Sequence, residues 1–199
     1  QITTETFQNN LNRENYTNDS LHTINILEKW KIKNTVVGKK PKMVFINTTG
    51  GGMRSALWSF CAIQYCDSIL KGKLLNQTQL ISGSSGGLIG LAYLRELMLR
   101  EKRNEISNFH QSYYRNDMAK DILNKVAFYV SVNDMLLRLQ TFEDNGFTYR
   151  KDRGYAFEKQ LNQNTRGYLN RRLSEYYTPE YNSVIPMLIV NPTIINNGK

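Results

Sequence analysis

Two glycine-framed turns hold the residues whose types and spacing could do chemistry. In ISGSSGG, residues 81–87, Gly83 and Gly87 bracket Ser85 as Gly-x-Ser-x-Gly, the spacing that presents a serine hydroxyl on a strained strand-to-helix turn. Ser84, inside the same elbow, is not bracketed in that way. A serine becomes an acyl-transfer nucleophile only with a base to take its proton and donors to hold the oxyanion. The helix that follows Ser85 brings its positive dipole end to the turn, and the Gly86 amide is expected to point toward the oxyanion. The second turn, Gly50-Gly51-Gly52-Met53-Arg54, has three consecutive glycines whose amides no side chain screens, which makes it an anion cradle. Its partner is a phosphate or an oxyanion, and the glycines alone do not decide between them. The GxxxxGK[ST] spacing of a P-loop is absent, and GGGMRS lacks the third glycine of a dinucleotide fingerprint. Arg54 adds a cation, expected to order the glycine loop or neutralise nearby charge rather than to touch substrate.

Both turns need strands before them and helices after them, and the chain supplies these. KMVFINTT, residues 42–49, is a compact run of β-formers and predicts a buried strand; MRSALWSFCAIQYCDSIL then predicts a helix closed by the turn around Gly72. TQLIS predicts a second strand, and the helix from about 86 to 100 is apolar nearly all round, as a central helix is. Strand, glycine loop, helix, strand, glycine turn, helix predicts an α/β fold with a parallel sheet. The two turns then lie side by side at its carboxyl edge, where open α/β sheets bind ligands. Residues 1–40 read as a polar, Asn-rich lead-in to residue 20, then a short amphipathic helix through Leu21, Ile24, Leu27 and Trp30 that ends at GKKP. Further short helices are predicted within 105–139, a helix capped by Asp152 follows, and VIPMLIVNPT predicts a third strand with Pro186 near its start.

Composition narrows the function classes. With 199 residues and 40% hydrophobic content, the chain is long enough for one domain with a sizeable core. A net charge of +9 suits an anionic surface, but the basic residues are spread along the chain, and the densest cluster, TRGYLNRRL, reads as a solvated face. No nucleic-acid module and no apolar run of membrane-spanning length is present. Cys61 and Cys66 are expected to be buried free thiols. Two histidines without metal-ligand spacing argue against a zinc hydrolase, and no metal or cofactor is expected. His110 follows Ser85 too closely for a Ser-His-acid triad and reads as a helix-surface or packed histidine. Tyr113, Tyr114, Phe128 and Tyr129 are expected in the core.

The paired motifs, GGGMRS followed by GSSGG on consecutive β–α turns, resemble the patatin-like phospholipase family, best over residues 42–100; DRGYAFE and PMLIVNPTIINNG look more loosely like downstream segments of larger bacterial members. The resemblance implies a three-layer αβα fold with a mainly parallel sheet. It implies a lipid acyl hydrolase of phospholipase A or lysophospholipase type, with Ser85 attacking a fatty-acyl ester. Gly50, Gly51, Gly52, Met53, Arg54 and Gly86 form the implied oxyanion hole, with the amides of Gly51, Gly52 and Gly86 holding the oxyanion. It also implies contact with a membrane surface and a cytoplasmic or membrane-associated location. Two departures accompany it. Ser55 stands where the family usually has glycine, and the Asp-Gly-[Gly/Ala] motif that carries the family's catalytic aspartate is absent. Residues 41–199 are therefore expected to be the N-terminal part of a catalytic domain, truncated before that aspartate and inactive alone. The rival reading from the same glycines is a non-catalytic module that cradles a phosphate or phospholipid head group, and a third is that the glycines serve close packing only.

Overall fold

In this computed structural model, which describes residues 13–135 and 140–191, the strands and helices around the two glycine turns follow the predicted order. Helix α1 (Arg13–Asn34) leads to β1 (Val44–Thr48), which runs through the triple glycine into α2 (Gly52–Ile69). The turn closing α2 has positive φ at Lys71 and Gly72, and the Gly72 amide donates to the Asp67 carbonyl. A short helix α3 (Lys73–Gln77) precedes β2 (Thr78–Gly83), and α4 (Ser85–Lys102) starts immediately after it. Helices α5 (Ser112–Ala119) and α6 (Leu123–Tyr129), the latter extended by a π-helical turn, fill the predicted helical stretch. A hairpin of β3 (Thr141–Asp144) and β4 (Phe147–Arg150), helix α7 (Arg153–Asn164), a 3-10 turn with α8 (Tyr177–Tyr181), and β5 (Met187–Val190) complete the order.

The sheet has the order β1-β2-β5 with both pairings parallel, so the chain is α/β. Thr48 pairs with Gly83 and Gly83 with Val190, so all three strands end level, and both glycine turns leave from one edge. Helices α2 and α4 pack on each other through Ala56 and Gly90 and bury Ile81 of the sheet, together with Phe60, Leu88, Leu91, Leu94 and Leu97. Each such fully buried aliphatic contributes roughly 1.5–3 kcal/mol relative to exposure. Buried positions run around most of α4, as its all-round apolar pattern predicts.

Five expectations are corrected. The first strand, expected to be buried, is the edge of the sheet: β1 alternates half-buried and exposed residues, with Phe45 63% exposed, because it pairs only with β2. Helix α1 starts at Arg13, inside the stretch read as a loose lead-in. Its first turns carry no apolar stripe, because packing begins only at His22, whose ring lies against Tyr177 and Tyr181; further on, Trp30 Nε1 donates to the Gln77 carbonyl (3.2 Å) and Lys33 Nζ to that of Ser183 (2.8 Å). The part of the lead-in before residue 13 lies outside the described residues, as does the end of the third predicted strand stretch beyond Asn191. Cys66 is exposed and Cys61 half-buried, since five residues of helix turn them onto different faces; burial still pushes the Cys61 thiol up. Of the four aromatics placed in the core, only Tyr114 is buried: Tyr113, its neighbour on α5, is exposed, and on α6, which has no buried residue, Phe128 is exposed and Tyr129 half-buried. The arginines of TRGYLNRRL are not simply solvated: Arg166 pairs with Asp117 (2.6 Å), Arg171 with Glu96 (3.2 Å) and Arg172 with Asp144 (2.6 Å).

Candidate active site

Ser85 opens α4 with φ +54, in the left-handed region that costs a residue with a Cβ about 1–2 kcal/mol. Ser84 before it is extended (φ −141, ψ 162). The abrupt change leaves the Ser85 side chain exposed while Gly86, Gly87 and Leu88 behind it are buried. Its hydroxyl makes no hydrogen bond among the described residues. Strain concentrated on one exposed, unbonded serine is what a presented hydroxyl requires.

The glycine loop faces this serine. A methyl group added at Gly50 would lie 3.3 Å from Ser85 Cβ and 3.6 Å from its Oγ. Gly51 (φ +122) and Gly52 (φ +60) turn the chain into α2 through conformations that favour glycine. The two turns touch backbone to backbone: a methyl at Gly86 would overlap the Gly52 carbonyl, and one at Gly87 the Thr48 hydroxyl and Thr49 carbonyl. A methyl at Gly83 would likewise overlap the Thr48 carbonyl. Close packing is thus a real role of these glycines, and it is the packing that places loop and elbow against each other. Neither helix start has a side-chain cap: Gly51 precedes α2, and Ser84, whose hydroxyl does not cap, precedes α4. Two long helices therefore bring unsatisfied amides to one place, an arrangement suited to an anion or to developing negative charge.

Arg54 does not order the loop; its side chain is exposed and has no partner among the described residues. Ser55 takes that part. Its Oγ donates to the Thr49 carbonyl (3.1 Å), and beside it Thr48 Oγ1 and Ser59 Oγ share a hydrogen bond of 3.1 Å. In the sequence Ser55 stands out as a departure from a motif, yet a serine in a first helical turn, four residues beyond Gly51, is placed to reach back to the chain entering the loop. Ser55→Ala is expected to lose about 1 kcal/mol in a urea titration, whereas Arg54→Ala stays within about 0.5 kcal/mol of wild type. Next to the loop, a groove of about 310 Å³ runs along β1, lined by Ile46, Thr49, Ser55, Trp58, Ala62 and Ile63.

No base is bonded to Ser85 among the described residues. Asp67 is buried at the far end of α2, about 22 Å along that helix from the loop. There it accepts from the Leu75 amide (2.8 Å) and pairs with His110 Nε2 (3.2 Å). His110 is thus neither on a helix nor near Ser85; it belongs to the loop before α5. Asp117 is occupied by Arg166 and Lys120, Asp144 by Arg172, and Asp121 and Asp152 bond amides at the starts of α6 and α7. Among the described residues no group of three or more His, Cys, Asp or Glu could hold a metal ion, and no helix is long and apolar enough to cross a membrane.

What fold and site define together is an α/β protein with paired glycine turns at the carboxyl edge of a parallel sheet, one of them lifting a strained serine. No protein-family model, no curated protein and no solved structure matches the chain.

Proposed function

We propose that the chain is the N-terminal part of a patatin-like, three-layer αβα catalytic domain, a serine lipid acyl hydrolase of phospholipase A or lysophospholipase type. Ser85 Oγ attacks the carbonyl carbon of a fatty-acyl ester, the alcohol leaves with a proton, and water then releases the fatty acid and regenerates the serine. A carboxylate outside these 199 residues takes the Ser85 proton, and the amides of Gly51, Gly52 and Gly86 hold the oxyanion. One such donor is worth about 2.7–4 kcal/mol of barrier. The observation that carries the reading is Ser85 itself, exposed at φ +54 and facing Gly50 of the loop. The groove beside the loop, where Ile46, Trp58, Ala62, Ile63 and Leu91 alternate with Asn47, Thr48, Thr49, Ser55 and Ser59, supports it as a seat for an ester with an apolar part.

A fluorophosphonate probe tests the assignment, because phosphonylation needs an activated hydroxyl near oxyanion donors. Labelling is expected at Ser85, retained in Ser84→Ala and absent in Ser85→Ala. It is expected to be slow in this chain and fast in a longer one that adds an Asp-Gly strand. Failure in both chains overturns the reading. That no base is bonded to Ser85 among the described residues favours the second reading, a head-group or phosphate module on the same amides. That reading requires saturable binding of inorganic phosphate that survives Ser85→Ala, with no labelling.

A further inference from the structure

At the opposite edge of the sheet, the chain between α1 and β1 makes a tight turn whose tip buries nothing. The Lys39 amide donates to the Val36 carbonyl (3.0 Å), and Gly38 at φ +78 closes the corner. That puts Val37 at 99% exposure and Val36 at 63%, with Ile32 at 77% on the last turn of α1. Two adjacent β-branched residues held out by a hydrogen-bonded turn gain nothing from the protein's own core. Around them Lys31, Lys39, Lys40 and Lys42 are all exposed and form no ion pair among the described residues. Asp and Glu are absent from the sequence between Glu28 and Asp67, so no carboxylate of this stretch offsets them. Elsewhere the cations are treated differently: Arg166, Arg171 and Arg172 each have a carboxylate partner. The densest basic cluster is thus charge-paired, while the sparser one here is not.

We propose that the 35–39 turn with Lys31, Lys39, Lys40 and Lys42 docks this protein onto an anionic lipid bilayer. The valine tip enters the boundary between head groups and acyl chains, and the lysines sit among anionic head groups. The occupant follows from the combination. Phosphates or carboxylates alone would satisfy the lysines, but only a bilayer also offers apolar surface beneath the charge. Beside the turn, a groove along α1 is lined by Ile24, Leu27, Trp30, Pro41 and Met43 together with Lys31, Lys40 and a single carboxylate, Glu28. Trp30 and Lys33 anchor the end of α1 to the chain before β2 and β5, so the turn has a firm base at the amino edge. Ser85 lies at the other edge. The docking surface is thus a tether, and it stands whether or not Ser85 is a nucleophile.

Flotation of the 199-residue chain with vesicles tests it. Binding is expected to phosphatidylcholine vesicles containing about one-third phosphatidylserine, not to phosphatidylcholine alone, and to be lost toward 1 M salt, where the screening length falls to roughly 3 Å. Lys39→Gln/Lys40→Gln is expected to weaken binding about thirtyfold, at about fivefold per lysine. Val36→Ser/Val37→Ser is expected to weaken it tenfold or more. Ser85→Ala floats like wild type, so failure of the tether and failure of the Ser85 reading are told apart. All these positions are exposed, and an unchanged thermal midpoint verifies that the variants fold. Absence of binding to the anionic vesicles overturns the proposal, as does binding indifferent to the valines. Equal affinity for soluble poly-glutamate overturns it too, by pointing to an acidic protein partner.

Discussion

Gly86→Ala is expected to destabilise this protein by about 3 kcal/mol or more, the upper end of what an added buried methyl costs. The added carbon would overlap the Gly52 carbonyl, and that neighbour is backbone, which cannot rotate aside as a side chain does. Relief requires the starts of α2 and α4 to move apart. One turn further along, the same two helices are held in contact where Gly90 meets the Ala56 carbonyl, so the strain has little room to spread. Gly38→Ala is the contrast. Nothing lies within 4 Å of a carbon added there, and only its φ of +78 penalises alanine, by about 1–2 kcal/mol. Urea titrations of the two variants compare space with conformation directly. A Gly86→Ala loss below about 1 kcal/mol would mean that the two turns part easily, and the facing of Gly50 and Ser85 would lose its support. If the turns do hold each other, probe labelling at Ser85 in any folded Gly86→Ala protein falls as well.

The parts of this fold that read clearly from sequence are those where one local pattern admits one structure. β1, β2 and α4 are apolar runs between glycines, and Asp152 caps α7 by accepting from the Tyr155 amide (3.0 Å), as its type and position imply. The hairpin of β3 and β4 is also legible locally, beyond the elements predicted above: Asn145 and Gly146, at φ +55 and +80, form the Asn-Gly turn that most strongly marks a two-residue hairpin. Other features depend on partners distant in sequence, and no local pattern shows those. The first half of α1 has no apolar stripe to read, and the arginines of TRGYLNRRL look solvated until Glu96, Asp117 and Asp144 are brought to them. At the site, the spacing Gly-x-Ser-x-Gly distinguishes Ser85 from Ser84, and of the two it is Ser85 that has a positive φ. Arg54 was given a role because arginine can make several bonds; the shorter Ser55 makes the one that closes the loop.

Glu96→Leu is expected to cost about 3–5 kcal/mol, as removal of one partner from a buried charged cluster does. Helix α4 is the most buried element, yet it carries Arg95 and Glu96 side by side, at 2% and 0% exposure. Both reach into the segment that ends in β5. Arg95 donates to the Pro186 carbonyl (2.8 Å) and pairs with Glu180; Glu96 accepts from Arg100 (2.7 Å), from the Tyr176 hydroxyl (2.8 Å) and from Arg171 (3.2 Å). Tyr176 and Ile185 share the core with α4, and β5 pairs with β2 along four residues, so these bonds add a polar fastening to an apolar one. Leucine at 96 fills the volume but strands the Tyr176 hydroxyl and leaves Arg171 without its carboxylate. Glu96→Gln keeps the acceptor and loses only charge, so about 1.5–3 kcal/mol is expected. Tyr176→Phe combined with Glu96→Leu should cost less than the sum of the two single changes, because the stranded hydroxyl is gone. Additive losses would show that Tyr176 and Glu96 act separately. A cost below about 1 kcal/mol for Glu96→Leu would show that β5 is held by its strand pairing and apolar contacts alone. In that case the level carboxyl edge, with the Asn191 amide donating to the Gly83 carbonyl (3.0 Å) just before the serine turn, owes nothing to the Glu96 cluster of α4.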